Sequence, residues 1–204
     1  MQSDTGARRT FTEQARRTQI LRCAIEALAE VGFGGASLAE IAKRAGVSKG
    51  VVSYYFAGKD DLLGHVLMDV YGRAGAAIGE RIGQEQDPVS VVRGYIEANL
   101  EFLGQNTADV VAVVEVAANV RKPDGSLRFA APDGADPVLA QVEQILRDGQ
   151  DAGAFGDFDA RSLALLIRGA IDTASGRIAG DPAFDLPAYT RQLVRTVELT
   201  LTAR

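Results

Sequence analysis

The chain has 204 residues, 47% of them hydrophobic and 24% charged, and a net charge of −5 at pH 7. That is the composition of an ordinary globular protein of one or two domains, and it excludes a disordered or fibrous chain. No apolar run reaches the length of about 18 residues that reads as a membrane helix, Met1–Arg9 lacks the apolar stretch of a signal peptide and reads as a short disordered arm, and the single cysteine, Cys23, excludes an internal disulfide and fits a reducing cytoplasm.

The first predicted helix starts at a capping box of Thr10 and Glu13. Ala15, Leu21, Ala24, Ile25, Leu28 and Val31 give it one apolar face, Cys23 lies beside that face as packing, and Gly32 ends it. Gly34-Gly35 turns the chain into a second helix, opened by a capping box of Ser37 and Glu40. Leu38, Ile41, Ala42 and Ala45 recur there at helical spacing. Gly46 stops it, because glycine takes the left-handed C′ conformation without steric cost. Val47 plugs the turn and Ser48 caps a third helix, Lys49 to Tyr55.

Two short helices around a tight turn, with small Ala42 at the crossing, make a helix-turn-helix. The outward positions of its second helix are Ser48, Lys49, Gly50, Ser53, Tyr54 and Tyr55. Hydroxyls, one cation and one bare backbone position suit phosphate oxygens and base edges in a major groove. The acidic net charge does not oppose this. Residues 1–64 hold nine Lys/Arg against seven Asp/Glu, a net of +2, while the rest holds 13 against 20, a net of −7. Three of the four lysines, Lys43, Lys49 and Lys59, fall in or beside the motif. Lysine serves phosphate as a flexible point charge.

Ala57-Gly58 is a turn, and Lys59 opens a long helix to about Gly83, with Asp60 and Asp61 complementing its dipole. A cation at a helix start is locally unfavourable, and reaching a phosphate would explain Lys59. Gly72, Gly75, Gly79 and Gly83 form one stripe of this helix. They admit three readings: close approach of another helix, a softened connecting rod, or a frayed end. His65 has no metal-ligand cluster around it and reads as a helix-surface or interface residue. Asp87-Pro88 starts the next helix. Val92, Ile96, Leu100 and Leu103 form its stripe, and Asn99 sits among Tyr95, Ile96, Phe102 and Leu103. Thr107 caps a helix from Val110 to about Val120, apolar nearly all round and so expected to be central, with Glu115 and Asn119 sharing one polar face. Residues 121–135 read as a long mobile loop. Helices then follow from Asp136-Pro137 to about Ala152, from Asp159 to about Ala179, and from Pro187 onward. Leu163, Leu166, Ile167, Ala170, Ile171, Ala174 and Ile178 form one closing stripe, and Leu193, Val194, Val197 and Leu201 the other.

Gly32-Phe33, Ser37, Ile41-Ala42, Ala45-Gly46-Val47-Ser48, Tyr55-Phe56, Lys59 and Leu62-Leu63 together resemble the N-terminal DNA-binding domain of the TetR (tetracycline-repressor-like) family of bacterial regulators, over about the first quarter of the chain. Many relatives carry Tyr where this chain has Ser53. The run Val51 to Asp60 looks closer to the branch typified by choline-sensing regulators of betaine synthesis, a likeness that carries no ligand with it.

The resemblance implies an all-α protein of about nine helices. Residues 1–57 would be a three-helix DNA-binding domain and 58–204 a helical ligand-binding and dimerisation domain. It implies contacts with a pseudo-palindromic double-stranded operator through Ser37, Ser48, Lys49, Gly50, Ser53, Tyr54, Tyr55 and Lys59. It also implies a homodimer paired through residues 159–179 and 187–201, and a small molecule whose binding alters the spacing of the recognition helices through the long helix. Tyr95, Asn99, Phe102, Glu115 and Asn119 are the candidate ligand contacts. No phosphate-binding loop, nucleophile elbow or Cys-x-x-Cys is present, so no enzyme, cofactor or metal is expected. The alternative is a DNA-binding dimer with no small-molecule ligand. A cavity of several hundred Å³ among the middle helices would separate the two.

Overall fold

The computed structural model describes residues 3–128 and 137–203, with side chains from Thr12 onward. The described residues form nine helices and no strand: α1 (Ser3–Gly35), α2 (Leu38–Arg44), α3 (Lys49–Tyr55), α4 (Lys59–Ile82), α5 (Pro88–Gln105), α6 (Thr107–Asn119), α7 (Pro137–Asp151), α8 (Ala160–Gly180) and α9 (Leu186–Thr202). They fall into two compact units. Met1–Val70 with Val111–Phe129 is one, and Tyr71–Val110 with Ala130–Arg204 is the other. Helices α4 and α6 each run from one unit into the other. Among the described residues, no helix is long and apolar enough to cross a membrane.

In the first unit the apolar face of α1 is buried at Ile20, Leu21, Ala24, Ile25 and Leu28, as are Ile41, Ala42, Val52, Phe56, Leu62, Leu63 and Val66. Burying a Val, Leu, Ile or Phe side chain stabilises by about 1.5–3 kcal/mol. That burial explains how the seven-residue helices α2 and α3 hold in water, where isolated helices so short are marginal. Gly32 adopts φ +66°, ψ 178° and breaks α1 near its end. An L side chain there would press its Cβ on the backbone. Two expectations about the start of α1 fail. The helix already runs from Ser3, so the described part of the supposed arm, residues 3–9, is helical, and Thr10 lies inside the helix instead of at its cap. No proline interrupts the segment, and extending a formed helix costs far less than nucleating one.

The segment after α6 also departs from expectation. Arg121 to Arg128 is a closed, hairpin-like turn and not a loose loop. Arg121 and Leu127 form an isolated antiparallel bridge, Lys122 N–H donates to Ser126 O at 2.8 Å, and Arg128 N–H donates to Val120 O at 2.8 Å. The Asp124 carboxylate accepts from Ser126 N–H and Oγ at 2.9 and 2.6 Å. The rest of the expected loop, 129–135, and the expected cap Asp136 lie outside the described residues.

In the second unit α5 packs against α7, α8 and α9. It buries Val92, Tyr95, Ile96, Ala98, Leu100 and Phe102, so it holds the central place expected of α6. Tyr189 Oη donates to Ala170 O at 2.7 Å, joining α9 to α8, and Arg93 pairs with Glu198 at 2.5 Å, joining α5 to α9. The closing stripes need correction. Leu163, Ile167, Ile171 and Ala174 of α8, and Val197 and Leu201 of α9, are buried in the protomer's own core. They are therefore not an outward dimer face. The outward apolar residues are Leu165 and Leu166 of α8 and Leu199 of α9, at 51%, 70% and 63% exposure.

Candidate nucleic-acid interface

The helix-turn-helix is braced from three sides within the first unit. Ser37 Oγ accepts from Glu40 N–H at 3.1 Å and Ser48 Oγ from Val51 N–H at 3.3 Å, so each serine caps its helix. Their hydroxyl hydrogens remain able to donate outward. Gly46 sits at φ +63° in the turn between α2 and α3. Gln19 Nε2 donates to Ala45 O at 3.1 Å, tying α1 to the end of α2. Arg44 pairs with Glu30 at 2.7 Å and Glu40 at 2.8 Å. That guanidinium is committed to the scaffold.

The residues left facing outward on α3 are those the sequence singled out. Ser48, Lys49, Gly50, Ser53 and Tyr54 are exposed, Tyr54 by 74%. Tyr55 is half-buried and meets Tyr54 edge-on, with ring centroids 5.1 Å apart. A cleft of about 580 Å³ lies beside them, lined by Glu13, Gln14, Arg17, Tyr54, Tyr55 and His65. Arg17 stacks over Phe56 at 5.6 Å, and His65 packs on the same ring at 5.5 Å with Nδ1 2.9 Å from Asp61 O. The place of Arg17 beside the motif was not read from the sequence, because α1 read only as scaffold. Its place one helical turn after Glu13 was the available signal.

Lys59 has a partner within the protein. Its ammonium donates to Phe33 O at 2.5 Å and lies 4.1 Å from the Phe33 ring centroid. Burial pulls its pKa below the ordinary lysine value, opposed by Asp60. The cation at the helix start thus has an acceptor and an aromatic face inside the protein. The opposite face of the same residue is held by Glu115, whose Oε2 accepts from Phe33 N–H at 2.8 Å. Glu115 therefore secures the bend after Gly32. The other candidate ligand contacts are also placed. Asn99 Nδ2 donates to Tyr95 O at 2.7 Å and Asn119 Nδ2 to Glu115 O at 2.9 Å. Tyr95 and Phe102 are core residues of the second unit, to which Asn99 also belongs, while Glu115 and Asn119 belong to the first. Among the described residues no group of three or more His, Cys, Asp or Glu could hold a metal ion.

A braced two-helix motif with a hydroxyl-rich, cationic outer face defines a helix-turn-helix DNA-binding protein. Comparison with known proteins takes this further. Residues 20–66 match the family model described as bacterial regulatory proteins, tetR family. The transcriptional regulator BetI of Burkholderia ambifaria MC40-6 is 36% identical over 186 residues, covering 78% of this chain and 93% of that protein. BetI 1 of Chromohalobacter salexigens is 38% identical over 87 residues, covering 42% of this chain and 43% of that protein. The fatty acid degradation regulator FadR of Bacillus halodurans has the same fold, with a TM-score of 0.77 at 22% identity over 93% of this chain and 97% of that one. FadR of Bacillus subtilis, solved in complex with stearoyl-CoA, gives 0.74 at 23% identity over 90% and 97%. The chain belongs to the TetR family of bacterial regulators, in the branch of the BetI-named proteins. It is a DNA-binding transcriptional regulator and not an enzyme.

Proposed function

We propose that the protein is a repressor that binds a pseudo-palindromic operator as a homodimer and is released by a small molecule. The observation that carries the DNA half is the outer face of α3, where Lys49, Gly50, Ser53 and Tyr54 stand exposed on a motif whose capping serines and Arg44 are bonded within the protein. Ser37, Ser48 and Tyr55 add hydroxyls at its edges. Lys59 supports the interface from behind, through Phe33. The outward Leu165 and Leu166 of α8 and Leu199 of α9 support pairing through these helices, since large apolar side chains that the protomer leaves in solvent would be covered by a partner. A twofold dimer then presents two copies of α3 about 34–36 Å apart, one helical turn of DNA.

Ligand control draws support from the family and from the FadR–stearoyl-CoA complex of the same fold. A ligand releases DNA only by binding the non-DNA form more tightly. The occupied polar groups favour the alternative, a dimer without a ligand, because Asn99, Glu115 and Asn119 already have partners within the protein. Selection from a random duplex library should return an inverted repeat with half-sites one helical turn, or a whole multiple of it, apart. A selected sequence without twofold symmetry would overturn the dimeric reading. Titrating choline and stearoyl-CoA against the selected complex then tests release. Release by either supports ligand control, and retention against both favours the constitutive dimer.

A further inference from the structure

We infer that the Arg121–Arg128 hairpin is a second DNA-contacting element, one that grips phosphates flanking the sequence read by α3; this rests on the DNA-binding reading above. The hairpin folds into the same compact unit as the helix-turn-helix. That unit holds twelve Lys/Arg and ten Asp/Glu, against ten and seventeen in the other unit. Within it, residues 121–128 carry Arg121, Lys122 and Arg128 against Asp124 alone. The hairpin therefore supplies the whole net positive charge of the unit, and the remainder is neutral. All four lysines of the chain lie in this one unit, and Lys122 is the only one outside the first 70 residues.

Place and shape agree with the charge. Arg128 lies 3.7 Å from Asp60 in the first turn of α4, and α4 follows α3 after only Phe56, Ala57 and Gly58. The hairpin is thus tethered where the chain leaves the recognition helix. Arg121, Lys122 and Arg128 are all exposed. The bridge, the two backbone hydrogen bonds and the Asp124–Ser126 turn fix the backbone that carries them. A rigid cationic element loses little freedom on binding. Its chemistry fits a polyanion read without sequence, and duplex DNA presents one phosphate charge per about 1.7 Å of axis. Lys122 in particular meets phosphate as a flexible point charge.

The test uses the full chain and two probes: a duplex trimmed to the selected operator core, and the same core extended by about one helical turn on each side. Binding is measured against salt for the parent, Lys49→Ala, Lys122→Ala and Lys122→Glu. Lys122 is exposed, so both variants should fold, which circular dichroism checks. Lys49→Ala should lower the log–log salt slope by about one unit on both duplexes. Lys122→Ala should do so on the extended duplex alone, and Lys122→Glu by more. If Lys49→Ala lowers the slope while both Lys122 variants match the parent on the extended duplex, the hairpin contact is wrong and the DNA-binding reading stands. If no variant changes the slope, both are wrong.

Discussion

Phe33 shows how one residue can organise a junction. It follows the Gly32 break, and both its peptide groups are claimed by side chains from distant parts of the chain: Glu115 takes the N–H, Lys59 the C=O and the ring face. Lys59→Met keeps the apolar stem and removes the charge. It should cost about 1–2 kcal/mol, the worth of one charged hydrogen bond and a cation–π contact, read as a lower melting temperature. Its salt slope on operator DNA should match the parent. A slope lower by about one unit would show the ammonium leaving Phe33 for a phosphate. Glu115→Ala should destabilise by about 1–3 kcal/mol, since it strands the Phe33 N–H.

Helix α4 is the element whose composition most needs explaining. A methyl group built on Gly72, Gly75 or Gly79 meets nothing within 4 Å among the described residues. Close helix approach within the protomer is therefore not their role. Each glycine weakens the helix by about 1 kcal/mol relative to alanine. Gly75→Ala with Gly79→Ala should raise stability by about 1 kcal/mol per site, seen as a higher melting temperature. A lower one would show that another molecule covers this face in the assembled protein.

At the scale of the whole molecule, the two faces of α8 separate folding from assembly. Ile171 is 2% exposed and Leu166 is 70% exposed, although both lie on the stripe read from the sequence. Ile171→Arg should prevent folding, because a lone buried charge costs several kcal/mol. Leu166→Arg should fold, keep its helical circular dichroism and sediment as a monomer with weakened operator binding. An unaltered chain that is monomeric at micromolar concentration would end the dimeric reading.

Local signals in the sequence determined the helices and most of their ends. Ser37, Ser48, Asp87 and Asp159 each cap as their spacing to the following residues predicts, and Gly46 takes the turn. These are contacts between near neighbours in the chain, so a short window contains all the physics. The outward face of α3 was legible for the same reason, since helical period alone sets it. Only the tertiary structure decided what each polar residue meets. Lys59 and Glu115 looked like groups awaiting a phosphate and a ligand, and both are satisfied by Phe33, 26 and 82 residues away. Periodicity shows that α8 has an apolar stripe but not which neighbour covers it; that depends on packing against α5, α7 and α9. The same holds for Lys122, whose membership in the DNA-binding unit is set by the chain returning along α6 and by nothing in its local sequence.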